Sequence, residues 1–169
     1  MTGLHSFHLT FMVMAALLLV TAGYFDARSF RIPNWVWATL LGLFPLQVLS
    51  SPVEVEWTQH LGVFGVVLAI GFVLFAGNFA GAGDVKLLAA TALWAGPQYI
   101  GALLVVTALS GGLLAVGFSV NAWLKLRLQP QVATAEGALD VLSKTPIPYG
   151  VAIACGGMVS LGLSAAALF

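Results

Sequence analysis

The sequence contains very little charge. Of its 169 residues, six are basic and six are acidic, so 7% are charged and 60% are hydrophobic. A soluble domain has roughly 25% charged residues, and this chain could not cover its surface against water. A net charge of zero leaves no basic patch for phosphates, which excludes a nucleic-acid partner. The single cysteine, Cys155, excludes an internal disulfide and a zinc site built on paired cysteines.

Charge is costly near the bilayer centre, so the stretches between charged residues predict membrane-spanning helices. We expect an all-α, polytopic integral membrane protein with six transmembrane helices. Their predicted bounds are 7–25, 35–49, 60–76, 84–95, 99–120 and 149–169. The fourth span is about 18 Å long against a hydrocarbon core of roughly 30 Å, which would place Asp84 inside the membrane. The turn signal Gly96-Pro97-Gln98 separates spans four and five and indicates two antiparallel helices.

The basic residues all fall in loops that share one side of this arrangement. They are Arg28, Arg31, Lys86, Lys125, Arg127 and Lys144. A loop on the other side carries Glu54 and Glu56. Cytoplasmic loops accumulate Lys and Arg, so the basic side is predicted to be cytoplasmic and both termini to lie outside. We expect a single transmembrane domain over residues 1–169, with residues 121–148 forming a cytoplasmic loop.

Glycine is spread through the third, fifth and sixth predicted spans. The residues are Gly62, Gly65, Gly101, Gly111, Gly112, Gly117, Gly156 and Gly157. Glycines in membrane helices allow neighbouring backbones to approach closely. We therefore expect these positions to lie at helix-packing contacts.

Two acidic residues lie at helix ends on the basic side. Asp26 closes the first span and Asp84 opens the fourth. The topology allows them to meet, and a carboxylate within the membrane is a functional candidate. Each could instead act alone, Asp84 as an N-cap and Asp26 as the partner of Arg28 or Arg31.

The residues around each aspartate favour a shared site. Gly81 and Gly83 precede Asp84 and would let other backbones or an extended peptide approach closely. After Asp26, Pro33 suits the first turn of the second helix, and Asn34 could cap or hydrogen-bond within that turn. Two carboxylates in a low-dielectric site share a proton, which is the chemistry of aspartic proteolysis. The sequence leaves open which aspartate is protonated first.

These residues form two motifs, Asp26-x-Arg28-x-x-Arg31-Ile32-Pro33-Asn34 and Gly81-x-Gly83-Asp84-Val85-Lys86. As a pair they resemble the motifs of the type IV prepilin peptidase family of GxGD-type membrane aspartic proteases. Pro146-Ile147-Pro148-Tyr149-Gly150 also resembles the family's sequence before its last helix. The resemblance implies that Asp26 and Asp84 are catalytic and that the other motif residues support them.

The resemblance further implies an endopeptidase of the inner (plasma) membrane that removes the basic leader from prepilin-like proteins at the cytoplasmic face. The partners implied are this substrate and membrane lipid, with no cofactor and no metal. The chain is most similar to the short, peptidase-only branch, such as CpaA/TadV-type or archaeal preflagellin peptidases, so methyltransferase activity is not expected. Glu136 and Asp140 could contact the basic leader, or could belong to a solvated loop. Lys86 could tune the aspartates or extend to the membrane interface.

Two other classes of protein fit parts of the pattern. In a small proton-coupled transporter or channel, Asp26, Asp84 and Lys86 would form an ion relay. A non-catalytic pilus-assembly protein would keep the fold without needing both acids. The position of both carboxylates toward one membrane face favours the peptidase over a transport path.

Overall fold

A computed structural model describes residues 2–128 and 147–167, with side chains from 7 to 124 and from 147 to 167. This part of the chain forms five α-helices and agrees with the predicted all-α class. They are α1 (Thr2–Ser29), α2 (Asn34–Leu49), α3 (Trp57–Ala76), α4 (Ala82–Leu128) and α5 (Tyr149–Ala166). Glu136, Asp140 and Lys144, together with most of the predicted loop, lie outside the described residues.

Among the described residues, four helices are long and apolar enough to cross a membrane. These candidate spans are Phe7–Ser29, Trp57–Ala76, Ala82–Leu124 and Tyr149–Ala166. The count differs from the six predicted for two reasons. Helix α2 is apolar but has only 16 residues. Helix α4 counts once although it contains a break.

The break in α4 lies at Gly96, where the sequence predicts a turn. Its φ of 61° and ψ of −173° are not helical, so α4 consists of the segments 82–95 and 97–128. Along α5, a side chain at Gly157 would meet Thr91 in the first segment. One at Gly156 would meet Thr107, while Gly111 lies against Tyr149. Because α5 runs antiparallel to the second segment and parallel to the first, the chain reverses at Gly96, as predicted.

Helix α5 also packs along α1 in the antiparallel sense. Gly150 lies beside Asp26, Ala154 beside Gly23 and Gly157 beside Leu19. The end of α1 and the start of α5 therefore meet at one end of the bundle. The core is built by α1, α2, the first segment of α4 and α5, with fully buried side chains such as Leu19, Leu40 and Leu87.

The predicted packing role of the glycines is correct for some positions and wrong for others. Gly111, Gly156 and Gly157 face neighbouring helices at short distances. By contrast, a side chain would meet nothing within 4 Å at Gly62, Gly65, Gly101, Gly112 and Gly117. These five glycines lie on surfaces that the described residues leave open.

Several predicted boundaries differ from the observed ones by a few residues; α1, for example, extends to Ser29, whereas the predicted span ends at Phe25. The second segment of α4 continues to Leu128 instead of ending near Val120, because the intervening residues include good helix formers and neither Pro nor Gly. Pro33 does not lie in the first turn of α2 but directly precedes it, with φ −61° and ψ 137°, and the helix begins at Asn34. The extended ψ of Pro33 sets the direction in which the chain enters α2.

Candidate active site

Asp26 and Asp84 line the same cavity, at the end of the bundle where α1 ends and α4 and α5 begin. The cavity has a volume of about 770 Å³. Its lining includes every predicted site residue except Arg28 and Pro33, and adds Phe30, Asn78, Phe79, Ile147 and Tyr149. The two carboxylates interact electrostatically. The structure thus places on one cavity two acids that are far apart in sequence, as the predicted topology allows.

Asp26 lies in the last turn of α1 and is 5% exposed. Its Oδ2 accepts a hydrogen bond of 2.6 Å from the backbone N–H of Gly150, and the carboxylate also bonds the N–H of Val151. Both amides belong to the first turn of α5, where helix geometry leaves N–H groups without i−4 carbonyl partners. The N–H of Val151 also bonds the carbonyl of Pro148, at 3.3 Å. Pro148, directly before α5, supplies no side-chain cap. Asp26 therefore caps α5 from another helix.

Gly150 makes this close approach possible. A methyl group at position 150 would lie 2.9 Å from Oδ2 of Asp26 and 2.9 Å from Cδ1 of Ile32, closer than carbon atoms normally approach other groups. Sequence reasoning noted Gly150 only within a motif before the last helix and gave it no role. The available signal was a glycine in the first helical turn, where glycine is otherwise unfavourable.

Asp84 lies in the first turn of α4 and is half-buried. Its carboxylate accepts a hydrogen bond from the backbone N–H of Gly81, the residue just before the helix. This is the return bond of a capping box, in which an acid in the first turn binds the amide before the helix. The expectation that Asp84 could be the N-cap is therefore wrong in position, because its carboxylate acts from inside the first turn.

The two glycines of this motif have different surroundings. A methyl group at Gly81 would lie 2.8 Å from Oδ2 of Asp84. At Gly83 it would make ordinary contact with Ile32, at 3.5 Å. The nearest groups at both positions are side chains, whereas the sequence suggested approaching backbones. The steric demand for glycine is therefore greater at position 81 than at position 83.

The sequence allowed the alternative that Arg28 or Arg31 is the partner of Asp26, and the structure shows other contacts for these residues. Arg28 donates a hydrogen bond of 2.8 Å from Nη1 to the hydroxyl of Tyr24. Arg31 is exposed and lines the cavity. The carboxylate of Asp26 is bound instead by the amides of α5.

Trp37 links the two motifs. The ammonium of Lys86 lies 5.3 Å from the centre of the Trp37 ring, a cation–π contact. Trp37 Nε1 in turn donates a hydrogen bond of 3.2 Å to Oδ1 of Asn34. The expected hydrogen bond of Asn34 within its helical turn is confirmed. Lys86 lines the cavity and is held on the side of α2 by Trp37.

Two helix ends at the cavity adopt left-handed backbone conformations. Among the described non-glycine residues, only Phe30, with φ 52°, and Asn78, with φ 60°, have positive φ. The N–H of Phe30 bonds the carbonyl of Asp26 at the end of α1, in a position that usually holds glycine. Asn78 and Phe79 bond the carbonyls of Phe75 and Leu74 to end α3 in a Schellman motif. Both ends place an exposed phenylalanine at the cavity.

A second cavity, of about 550 Å³, lies at the opposite end of the bundle and is lined by His8, Glu54, Glu56, His60 and Pro97, among others. Among the described residues, no group of three or more His, Cys, Asp or Glu side chains is placed to hold a metal ion. Arg28, Arg31 and Lys86 lie at the aspartate end and the two glutamates at the other. The described charges therefore divide between the two ends as the loop pattern predicts.

A comparison with protein families finds a match over residues 12–116 to the type IV leader peptidase family. The chain belongs to this family. The match includes both aspartates and the residues that surround them, and it ends before α5, whose amides bind Asp26. Comparisons with curated proteins and with solved structures found no match. Membership of the leader peptidase family makes the protein a peptidase, and its apolar helices make it a membrane protein.

Proposed function

We propose that the protein is a membrane-embedded aspartic endopeptidase that removes the basic leader from type IV prepilin-like proteins. The observation that carries the proposal is that Asp26 and Asp84 line one cavity at the same end of the bundle. Membership of the leader peptidase family supports the reaction class. The cavity also holds ionisable groups and exposed aromatic rings, which suit a peptide with polar and apolar parts.

In the proposed reaction, the scissile peptide bond lies between the two carboxylates. The ionised carboxylate takes a proton from water as the water oxygen attacks the carbonyl carbon, and the protonated one donates its proton to the carbonyl oxygen. The C–N bond of the resulting diol then breaks as the leaving amine takes the proton that the first carboxylate accepted from water. A diol hydroxyl returns a proton to the second carboxylate as the new carboxyl group forms. The products are a leader with a free carboxyl group and a mature protein with a free amine.

We further propose that the protein crosses the inner membrane six times, with the aspartate cavity toward the cytoplasm and both termini outside. Helix α2 and the two antiparallel segments of α4 supply the spans beyond the long, uninterrupted helices. The basic residues at the aspartate end support the cytoplasmic placement, because cytoplasmic loops accumulate Lys and Arg. Residues 1–169 would form one peptidase domain that includes the predicted cytoplasmic loop.

The proposal is tested by co-expressing the protein with candidate prepilins from its genomic neighbourhood and following leader loss by mass spectrometry. We expect cleavage by the wild type and none by Asp26→Asn or Asp84→Asn at matched membrane levels. Glu54→Gln, at the opposite end of the bundle, is the matched control and should cleave normally. Cleavage that survives in either aspartate variant would contradict the two-aspartate mechanism.

A further inference from the structure

Helix α3 contributes least to the interior of the bundle. Of its residues, only Gly71 is buried. By contrast, eight of the 18 residues of α5 are buried. Most of the apolar surface of α3 is therefore left without a partner among the described residues.

Part of this surface is concave and forms a groove of about 580 Å³ between α3 and α4. The α3 residues that line it follow a helical repeat and so form one continuous stripe. They are Gly65, Leu68, Ala69, Phe72 and Phe75. Ala82, Val85 and Lys86 close the groove from α4. Small residues alternate with large ones along the stripe, a composition that lets another helix approach closely.

The groove is continuous with the aspartate cavity. Ala82 and Lys86 line both, and Asp84 lies between them in the first turn of α4. Val85 packs tightly on Gly71 of α3, where an added methyl group would lie 2.5 Å from it, and this contact fixes the start of α4 against α3. A chain that leaves the aspartate cavity past Ala82 and Lys86 therefore enters the groove.

We propose that this groove binds the apolar helix of the substrate that follows the cleaved bond. From Gly65 to Phe75 the stripe covers about 15 Å, or roughly half the hydrocarbon core. Of the described residues that line the groove, Lys86, at the cavity end, is the one that is charged, so an apolar segment fits there with its polar end at the carboxylates. The inference rests on the proposed function, because it takes the substrate to be a leader followed by an apolar helix.

A second apolar groove shows why the connection to the aspartate cavity determines where the substrate helix can bind. It lies between the end of α2 and the start of α3, has about 280 Å³, and is lined by residues such as Phe44, Trp57 and Leu61. None of its lining residues lies in the aspartate cavity. Lipid chains could fill either groove, whereas a helix joined to a peptide at the carboxylates can reach only the first.

Gly65→Leu tests the proposal without disturbing the fold, because a side chain at Gly65 meets nothing within 4 Å. We expect cleavage of a full-length prepilin to fall about tenfold or more, since the filled groove removes binding energy. Cleavage of a short peptide that spans the cut but lacks the apolar helix should not change. Gly42→Leu, equally open but on α2, is the control and should cleave both substrates normally. Unchanged cleavage of both substrates by Gly65→Leu, or equal loss for both, would overturn the proposal.

A second measurement does not depend on activity. A photo-reactive phenylalanine analogue at Ala69, in an Asp84→Asn background, should cross-link to the prepilin in membranes, whereas the same probe at exposed Val116 should not. Cross-links to lipid alone would overturn the docking proposal without contradicting the proposed peptidase activity. If the prepilin cross-links at Ala69 but the wild-type protein cleaves no prepilin, the proposed peptidase activity is contradicted and the docking proposal is supported.

Discussion

The two aspartates of the cavity are held in different ways. Asp26 is buried, and its carboxylate binds amides of α5 that lie 124 residues further along the chain. Asp84 is half-buried, and its carboxylate binds the amide of Gly81, within its own helix start. The position of Asp26 therefore depends on how α1 packs against α5, whereas the position of Asp84 is set by local helix geometry.

This difference separates a fixed carboxylate from an adjustable one. The Asp26 carboxylate is bound by the amides of Gly150 and Val151, and can move little without breaking the cap of α5. Asp84 faces the cavity from the edge of the bundle, next to the groove between α3 and α4. Substrate binding is therefore expected to adjust Asp84 more than Asp26.

Apart from the loss of an aspartate itself, the largest expected effect comes from Gly150→Ala, which disturbs the contact that holds Asp26. The added methyl group would lie 2.9 Å from Oδ2 of Asp26 and must displace the carboxylate. Because misplacing a catalytic group by about 1 Å can cost roughly 100-fold in rate, we expect a loss of that size. The rate of leader removal by purified protein in vesicles measures it. Gly162→Ala, on the same helix with open space around it, should retain the wild-type rate.

The next effect is on stability. Asp26→Ala leaves the amide of Gly150, at the start of α5, without its acceptor, so we expect a loss of about 1–3 kcal/mol in the free energy of unfolding. Asp84→Ala removes an acid from a helix start, which is worth about 0.3–1 kcal/mol. Denaturant unfolding in detergent, followed by circular dichroism, compares the two. Equal losses would show that the tertiary cap contributes nothing beyond the local one.

The smallest expected effect is the difference in cleavage rate between substitutions at Gly81 and at Gly83, the two glycines before Asp84. Gly81→Ala places a methyl group 2.8 Å from the Asp84 carboxylate, but this half-buried group can shift, so we expect a loss of only about three- to tenfold in cleavage rate. Gly83→Ala makes an ordinary contact with Ile32 and should change the rate by less than about twofold. A larger loss for Gly83→Ala would mean that an approaching peptide needs that glycine.

The features that the sequence predicts correctly are local. The turn predicted at Gly96-Pro97 is present, since the backbone at Gly96 is not helical and interrupts α4. The charge-free stretches also locate all the described helices. The placement of both aspartates at one end follows from counting those helices. The family motifs also single out Asp26 and Asp84, and the catalytic role of these residues stays a prediction.

The features missed depend on contacts between distant residues. Nothing near Asp26 in the sequence indicates that its partners are the amides of Gly150 and Val151, since that contact exists only when α1 packs on α5. Phe30 takes a left-handed conformation that local preference would assign to glycine, so its place at the cavity could not be predicted. The open surroundings of Gly65 were missed for the same reason, because glycine content alone does not distinguish packed from exposed helix faces.

The central claim is that Asp26 and Asp84 act as one catalytic unit. The most direct test is the rate of leader removal by purified Asp26→Asn, Asp84→Asn and the double variant in vesicles. If the two carboxylates act as a unit, each single variant loses about 1,000-fold or more and the double variant loses no more than either single one. A double variant whose loss is the product of the two single losses, or a single variant at the wild-type rate, would contradict the account.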